Sequence, residues 1–207
     1  MLHDAAPPAE EVGASFAVPS GGFPVILADP PWTFADRGTR LAPSYAGPQR
    51  KSAAPYRVMG MDGVCALGSW VLGWAAPSSF LFLWAPNALV VDGTATNVAR
   101  AWGFEPKQLI PWVKTDAAGK PRLGGGHYTR VCTEQLLLCR RGRAAVRSRS
   151  VPGVILAPRT AHSAKPDASY RLIEQLVDGP YLELFARRRF GPAWSVWGDQ
   201  APAEAAP

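Results

Sequence analysis

The sequence contains little cysteine or histidine. Its 207 residues include three cysteines, Cys65, Cys132 and Cys139, and three histidines. No two cysteines have the CxxC spacing and their number is odd, which argues against a disulfide framework and against a zinc site. We therefore expect a protein without a metal, working in a reducing compartment, the cytoplasm.

The sequence also lacks an uninterrupted hydrophobic run long enough to cross a bilayer. Its most apolar stretch, residues 69–86, is broken by Pro77, Ser78 and Ser79, whereas a spanning helix needs about 20 apolar residues. The first 22 residues have no basic segment followed by an apolar one and so do not resemble a secretory signal. We expect no membrane partner.

The length and composition fit one packed domain. A chain of 207 residues with 47% hydrophobic content can bury a core of its own and is too short for two sizeable domains. Residues 1–21 and 201–207 are rich in Ala, Pro, Gly and Glu. We expect both to be disordered or loosely packed tails, with the domain between them at residues 22–200.

Short apolar runs alternate with helical patterns along this domain. The runs predict strands at 23–28, 79–85, 107–114, 134–141 and 181–187. Helices are predicted at about 60–75, 87–103 and 165–179, and long loops at 36–55 and 115–130. This alternation predicts an α/β fold, a doubly wound, mostly parallel sheet with helices on both faces. Ligands in such folds bind outside the carboxyl ends of the strands.

Positive charge is in excess and unevenly distributed. The formal net charge is +6, residues 140–149 hold five arginines and no acid, and three more arginines follow one another at 187–189. A basic stripe of this kind suits a polyanion such as a nucleic acid, because neutralised phosphates release counterions. The alternative is a solvated face that serves only solubility.

The first predicted strand runs directly into the sequence Asp29-Pro30-Pro31-Trp32, here called the ledge. Each proline fixes its own φ and restricts the residue before it. The Asp29 carboxylate and a proline carbonyl then form a rigid pair of acceptors, which suits a group with two donors such as the exocyclic amine of a nucleobase. A base in a duplex would have to be flipped out to reach it.

Further blocks accompany the ledge in a fixed order along residues 23–200. They read APYRVM (54–59), FLFLWAPN (80–87), AWGFEPKQLIPWVK (101–114), GGGHYTRVCTEQLLLCRRG (124–142), HSAKPDASYRLIEQL (162–176), YLELFARR (181–188) and WSVWGD (194–199). Together they resemble the MT-A type family of adenine amino-methyltransferases, related to the catalytic subunit of the messenger-RNA adenosine methyltransferase. The resemblance implies a Rossmann-like fold for S-adenosylmethionine, permuted so that the catalytic strand comes early and the cofactor strand late.

The resemblance also implies roles for individual residues. The target adenine would be held by Asp29, Pro30, Pro31 and Trp32. The cofactor would contact Asp29, Lys165 at its methionyl carboxylate, Arg187 at its ribose end, and Arg189, Asp199 and Gln200. Nucleic-acid contacts are expected from Arg37, Arg40, Tyr45, His127, Tyr128, Arg141 and Arg143. Glu134 matches an acid of the family, although it is equally compatible with a surface position before a strand.

The function expected from these residues is methyl transfer from S-adenosylmethionine to the amine of adenine. The chain is little more than a methyltransferase domain and looks like a compact bacterial or phage member, which favours DNA as substrate, with RNA as the alternative. A catalytically silent subunit is a second possibility, and a homodimer or a second methyltransferase-like subunit is a possible partner. A nucleotide-binding oxidoreductase would need a GxGxxG motif after an early strand, which the sequence lacks.

Overall fold

The apolar run that precedes the ledge forms the first strand of a seven-stranded sheet. The computed structural model describes residues 16–32, 61–126, 128–159 and 164–202. Within these ranges the strands are β1 (Phe23–Ala28), β2 (Ala75–Ala85), β3 (Glu105–Thr115), β4 (Thr133–Arg141), β5 (Ile155–Pro158), β6 (Tyr181–Leu184) and β7 (Trp194–Trp197). The helices are α1 (Met61–Ala66), α2 (Gly68–Trp74), α3 (Asn87–Val91), α4 (Thr94–Ala101) and α5 (Asp167–Leu176).

The strands lie in the order β5-β3-β4-β2-β1-β6-β7. Strand β4 is antiparallel to both of its neighbours, and the remaining pairs are parallel. The start of β4 therefore lies at the same edge of the sheet as the ends of the other strands. Because the chain pairs β1 with β2 on one side and with β6 on the other, the end of β1 lies at the topological switch point, where ligands of such sheets bind.

Helices cover both faces of the sheet, as the sequence predicts. Helices α1, α2 and α4 contribute to one core, together with Ile26 and Leu81 of the sheet. Helix α5 contributes to the other, which holds Leu27 and Phe82. Alternate residues of each strand thus enter opposite cores, as the period of two in a β-strand requires. Among the described residues, no helix has the length and apolar content needed to span a bilayer.

Three tryptophans on apolar runs, Trp84, Trp102 and Trp112, are buried in these cores as expected. Two of them also satisfy their indole N–H groups. The Nε1 of Trp102 donates to the carbonyl of Val64 at 2.8 Å, and the Nε1 of Trp112 donates to the carbonyl of Ala157 at 2.9 Å. These bonds tie helix α1 and strand β5 to the rest of the domain.

The sequence-based elements are confirmed in position and corrected in detail. The helix predicted at 60–75 is two short helices, and the one predicted at 87–103 is interrupted at Gly93, which adopts a left-handed φ of 83°. Strands β5 and β7 were not predicted, because each has only four residues and their flanks carry no helical pattern. The loop predicted at 36–55 lies outside the described residues.

The expected N-terminal tail extends less far than predicted. Residues 1–15 lie outside the described part of the chain, but Phe16 is 6% exposed and belongs to the first core. Its ring centroid lies 5.7 Å from that of Phe23 and 5.5 Å from that of Trp74, both in edge-on geometry. The packed domain therefore begins at or before residue 16, because a buried aromatic ring contributes substantial apolar area.

The turn before β1 lies very close to the backbone of β2. Gly21 and Gly22 both have a left-handed φ, but only at Gly22 would a Cβ collide with backbone, 2.6 Å from the nitrogen of Ala76. Gly21→Ala should lower the free energy of unfolding by about 1–2 kcal/mol, the cost of left-handed backbone for alanine. Gly22→Ala should cost about 1–3 kcal/mol more, because the strands must separate. Chemical denaturation of both variants measures the difference, and equal losses would contradict this close approach.

Candidate active site

A cavity of about 850 Å³ opens at the sheet edge where β1 ends. Its walls come from segments that are distant in sequence. The first residues of β4 join the ends of the other strands there because β4 runs in the opposite direction. The residues lining it are Asp29, Pro30, Pro31, Trp32, Leu67, Trp70, Pro86, Asn87, Trp112, Lys114, Val131, Thr133, Glu134, Arg159, Ala164, Lys165, Phe185, Ala186, Arg187, Trp197, Gly198, Asp199 and Gln200. The volume lies within the range of small-molecule sites.

A chain of alternating charges crosses the floor of this cavity. The Nζ of Lys165 lies 2.8 Å from Oδ2 of Asp29 and 2.8 Å from Oε1 of Glu134. The other oxygen of Glu134 lies 3.0 Å from Nζ of Lys114. The Lys165 side chain is 10% exposed, so its charge is largely removed from water and depends on these two carboxylates. Glu134 is thus a member of the site, which decides between its two sequence-based interpretations.

Burial and charge act in opposite directions on the pKa values of this chain. Burial disfavours the ammonium of Lys165, but Asp29 and Glu134 outweigh it and raise its pKa. Burial also disfavours the Glu134 carboxylate, yet Lys165 and Lys114 together lower its pKa. At Asp29 burial prevails over the attraction of Lys165 and raises the pKa. Of the two carboxylates beside Lys165, Asp29 therefore takes up a proton more readily than Glu134.

The ledge is held rigidly beside β2. The backbone N–H of Trp32 donates to the carbonyl of Pro30 at 2.7 Å, which closes a three-residue turn centred on Pro31. The indole Nε1 of Trp32 donates to the carbonyl of Trp84 at 2.8 Å, and the ring packs against the first core. One lone pair of the Pro30 carbonyl is thus engaged within the ledge, which leaves the second as an acceptor.

The opposite wall of the cavity is formed where β6 and β7 end. Phe185 follows β6 with φ 61°, a left-handed conformation that is unusual for a side chain of this size. A Cβ at Gly198 would lie 2.8 Å from the Cα of Phe185, and the N–H of Ala186 donates to the carbonyl of Trp197 at 3.0 Å. The turn after β6 therefore packs directly on the turn after β7, which brings Arg187 to the same cavity as Asp199 and Gln200.

The three consecutive arginines after β6, residues 187–189, do not all face the cavity. Arg187 lines the cavity, as predicted, whereas Arg189 does not. Arg188 pairs with Asp167 at the start of α5 and lies 5.2 Å from the centre of the Tyr170 ring. The predicted cofactor contact at Arg189 is thus not placed on the cavity wall by the structure.

Of the predicted nucleic-acid contacts, the three that lie within the described residues do not line this cavity. Arg37, Arg40, Tyr45 and His127 lie outside the described residues, as does His162. Tyr128 is fully exposed and is not among the lining residues. Arg141 lies at the far end of β4 and Arg143 just beyond it, about 26 Å along the strand from its start. There Arg141 donates to the carbonyl of Leu72 at 3.5 Å.

The polar residues of the cavity wall that sequence reasoning missed include Asn87, Lys114 and Thr133. The Nδ2 of Asn87 donates to Oγ1 of Thr133 at 3.0 Å, and its Oδ1 accepts from Nε2 of Gln135 at 2.9 Å. Each of these residues lies at a predicted strand end, which is the signal that was available. What the pattern did not show is the antiparallel direction of β4, which places Thr133 and Gln135 at this edge.

A buried acid lies on β6, next to β1. Glu183 is 8% exposed, and its Oε1 accepts from the hydroxyl of Tyr170 at 2.8 Å. Its Oε2 has no hydrogen-bond partner among the described residues. Burial raises the pKa of Glu183 to about 7, because neither Tyr170 nor Arg188 offsets the loss of water.

This raised pKa predicts a pH-dependent stability. The folded protein holds a proton on Glu183 up to about pH 7, whereas the unfolded chain releases it near the ordinary glutamate value, so stability falls as the pH rises between the two. The loss amounts to about 3 kcal/mol. Glu183→Gln should remove it, because the amide is neutral throughout.

Urea unfolding of the wild type and of Glu183→Gln at pH 4.5, 6 and 7.5 measures the effect. Glu105→Gln, at an exposed position, is the control and should keep the wild-type slope. Parallel stability curves for the wild type and Glu183→Gln would show that folding does not raise the pKa of Glu183.

The switch-point cavity in a doubly wound sheet is typical of α/β proteins that bind a ligand at the carboxyl ends of their strands. A family model described as MT-A70 matches residues 23–200. The chain therefore belongs to the MT-A70 family, which confirms the resemblance seen in its sequence blocks and the Rossmann-like class of its fold.

The chain is similar over most of its length to part of several larger proteins. It is 31% identical over 185 residues to the N(6)-adenosine-methyltransferase MT-A70-like protein of Drosophila melanogaster, which covers 87% of this chain and 27% of that protein. It is 30% identical over 189 residues to the human N(6)-adenosine-methyltransferase catalytic subunit METTL3, with 87% and 28% covered. It is 29% identical over 193 residues to the N6-methyladenosine RNA methyltransferase MTA1 of Cryphonectria parasitica, with 89% and 53% covered. The chain thus spans between a quarter and about half of the length of these relatives.

Proposed function

We propose that this protein transfers a methyl group from S-adenosylmethionine to the exocyclic amine of adenine in a nucleic acid. The observation that carries the proposal is the Asp29 carboxylate at the switch point, held by Lys165 inside a cavity that also contains Arg187 and Asp199. Membership of the MT-A70 family supports it, and so do the names of the similar proteins.

The ledge supplies what an amine needs in order to react. Oδ2 of Asp29 is held by Lys165, so Oδ1 is the oxygen left to accept one N–H of the amine. The remaining lone pair of the Pro30 carbonyl accepts the other. With both hydrogens held, the nitrogen lone pair is drawn out of conjugation with the ring and directed into the cavity. The ledge thus contributes to catalysis mainly by positioning the amine for attack.

The residues of the cavity fit the proposed cofactor. The cations Lys165, Arg187 and Arg159 line the wall and suit a carboxylate, and Lys165 retains a third N–H beyond its two described partners. The acceptor oxygens of Asp199 and Gln200 suit ribose hydroxyls. When bound, S-adenosylmethionine supplies a methyl group on a sulfonium, whose departure leaves a neutral thioether. The proton released by the methylated amine has an acceptor in Asp29, whose pKa is raised by burial.

The comparisons favour RNA over DNA as the acceptor. The sequence-based preference for DNA rested on the compactness of the chain, whereas the names of the similar proteins specify adenosine or RNA. We therefore take adenine in RNA as the substrate, with DNA as the other arm of the test. A catalytically silent subunit is disfavoured, because Asp29, Lys165 and Glu134 form a connected site.

The first test of the function is Asp29→Asn. The amide cannot balance Lys165 and presents N–H groups where an acceptor is needed, so the methylation rate should fall by about 100- to 1,000-fold. Asp178→Asn, on the exposed ion pair with Arg147, is the matched control and should retain wild-type activity. Tritiated S-adenosylmethionine is supplied with single- and double-stranded RNA and DNA, and the products are digested to nucleosides.

Labelled N6-methyladenosine that disappears in Asp29→Asn is the expected result. Labelling of deoxyadenosine alone would show that the substrate is DNA. Cofactor binding without labelling of any of the four nucleic acids would favour the silent subunit, and full activity in Asp29→Asn would remove the ledge from the mechanism.

A second test concerns the cofactor. Lys165→Met removes the cation proposed for the methionyl carboxylate and leaves two carboxylates facing one another, so the affinity for S-adenosylmethionine should fall by more than about tenfold. Isothermal titration calorimetry measures the affinity directly. Lys120→Met, in an exposed turn, is the control and should bind as the wild type does. Unchanged binding by a folded Lys165→Met variant would assign the carboxylate to another cation of the wall.

A further inference from the structure

Asn87 is fixed in the cavity wall by two hydrogen bonds from its side chain. It is the first residue of helix α3, directly after β2. Its Nδ2 donates to Oγ1 of Thr133 and its Oδ1 accepts from Nε2 of Gln135, both residues of β4. A primary amide has two N–H groups and two acceptor lone pairs. One of each is therefore engaged with β4, and within the described part of the chain one of each remains.

The side chain of Asn87 does not cap helix α3. Asparagine near a helix start commonly caps the free backbone N–H groups, but Pro86 is the N-cap residue here and no side chain caps α3. The N–H groups of Leu89 and Val90 donate to the carbonyl of Pro86 instead. The side chain of Asn87 is thus available to the cavity that it lines.

Asn87 lies one strand away from the ledge. Strands β1 and β2 pair in register with Ala28 opposite Leu83, and the indole of Trp32 is bonded to the carbonyl of Trp84. Neighbouring strands are about 4.8 Å apart. A planar base whose amine lies at Asp29 can extend across the ends of β1 and β2 toward Asn87, which lines the same cavity.

We propose that Asn87 reads the base: its remaining N–H donates to a ring nitrogen that flanks the exocyclic amine of adenine. This inference rests on the proposed function and adds a specificity determinant to it. Adenine has acceptors at N1 and N7 on either side of its amine, and asparagine is a common partner of adenine through these groups. Guanine carries an oxygen in place of the amine, which the acceptors Asp29 and Pro30 do not hold, and a hydrogen on N1, which a donor of Asn87 directed at N1 rejects.

The orientation of the amide is what makes Asn87 selective. Because Gln135 donates to its oxygen, the amide cannot rotate to exchange donor and acceptor without losing the bond from Gln135. A fixed donor discriminates more sharply than a rotating one, because the wrong base leaves a half-buried N–H unpaired. We expect loss of the bond to lower kcat/KM by about 10- to 100-fold.

The experiment combines a change in the protein with a change of single atoms in the substrate. Asn87→Asp has the same shape, and its oxygens can accept from both Gln135 and the Thr133 hydroxyl, so the bonds to β4 are kept while the donor is lost. Oligonucleotides contain one adenine, one 1-deazaadenine or one 7-deazaadenine. The measured quantity is kcat/KM for each of the three with the wild type and with Asn87→Asp.

The wild type should lose 10- to 100-fold with one of the two deaza bases, and the identity of that base names the nitrogen that is read. Asn87→Asp should lose a similar factor with adenine and nothing further with that deaza base, because the bond is already absent. Thr133→Val is the structural control. It loosens the wall without removing the donor, so it should retain the penalty for the deaza base.

Two other outcomes overturn the inference at different levels. Equal penalties for both deaza bases in the wild type and in Asn87→Asp, with adenine still methylated, would show that Asn87 only ties β2 to β4. Failure of the wild type to methylate adenine at all, with bound S-adenosylmethionine, would overturn the proposed function and the role of Asn87 with it.

Discussion

The arrangement of the site depends on one ammonium group held between two carboxylates. Lys165 precedes helix α5, Asp29 ends strand β1, and Glu134 begins strand β4, so a single cation joins three segments that share no local sequence. Buried charges of this kind tolerate the loss of a partner badly, because the remaining charge has neither water nor a counterion. Lys114 extends the series to a fourth segment, and the four formal charges sum to zero. The floor of the cavity can therefore be buried without an uncompensated ion.

The direction of β4 is the geometric condition for this interaction. In an all-parallel sheet the first residues of β4 would lie at the opposite edge, and neither Glu134 nor Thr133 would reach the end of β1. The reversal also places Gln135 opposite Ala85, close enough to orient Asn87. The charged floor and the polar wall of the cavity thus have one topological cause, and the ledge between them is rigid because its prolines and the Trp32 indole leave it little freedom.

Local patterns in the sequence predicted the parts of the fold that local interactions determine. The apolar run before Asp29, the buried tryptophans and the alternation of strands and helices follow from periodicity and from proline geometry. The pairing of Lys165 with Asp29 joins residues 136 positions apart, and no local pattern encodes such a contact. The position of Arg141 relative to the cavity is not encoded locally either, since a basic stripe shows charge without showing the end of the strand at which it lies. Strands β5 and β7 were missed because four residues carry too little periodicity to stand out from a loop.

The position of β1 in the sheet has a consequence for how the chain acquires its structure. Strand β1 is synthesised before the other strands of the sheet, yet Val25 pairs with Tyr181 of β6, which follows β2 to β5 in the sequence. Until β6 emerges, the apolar strand β1 has an open hydrogen-bonding edge, the kind of surface that promotes association between nascent chains. Contacts between such distant segments also slow folding, because a long loop must close before they form. The segment that would bind the substrate is therefore completed only when the last strands of the domain have folded onto the first.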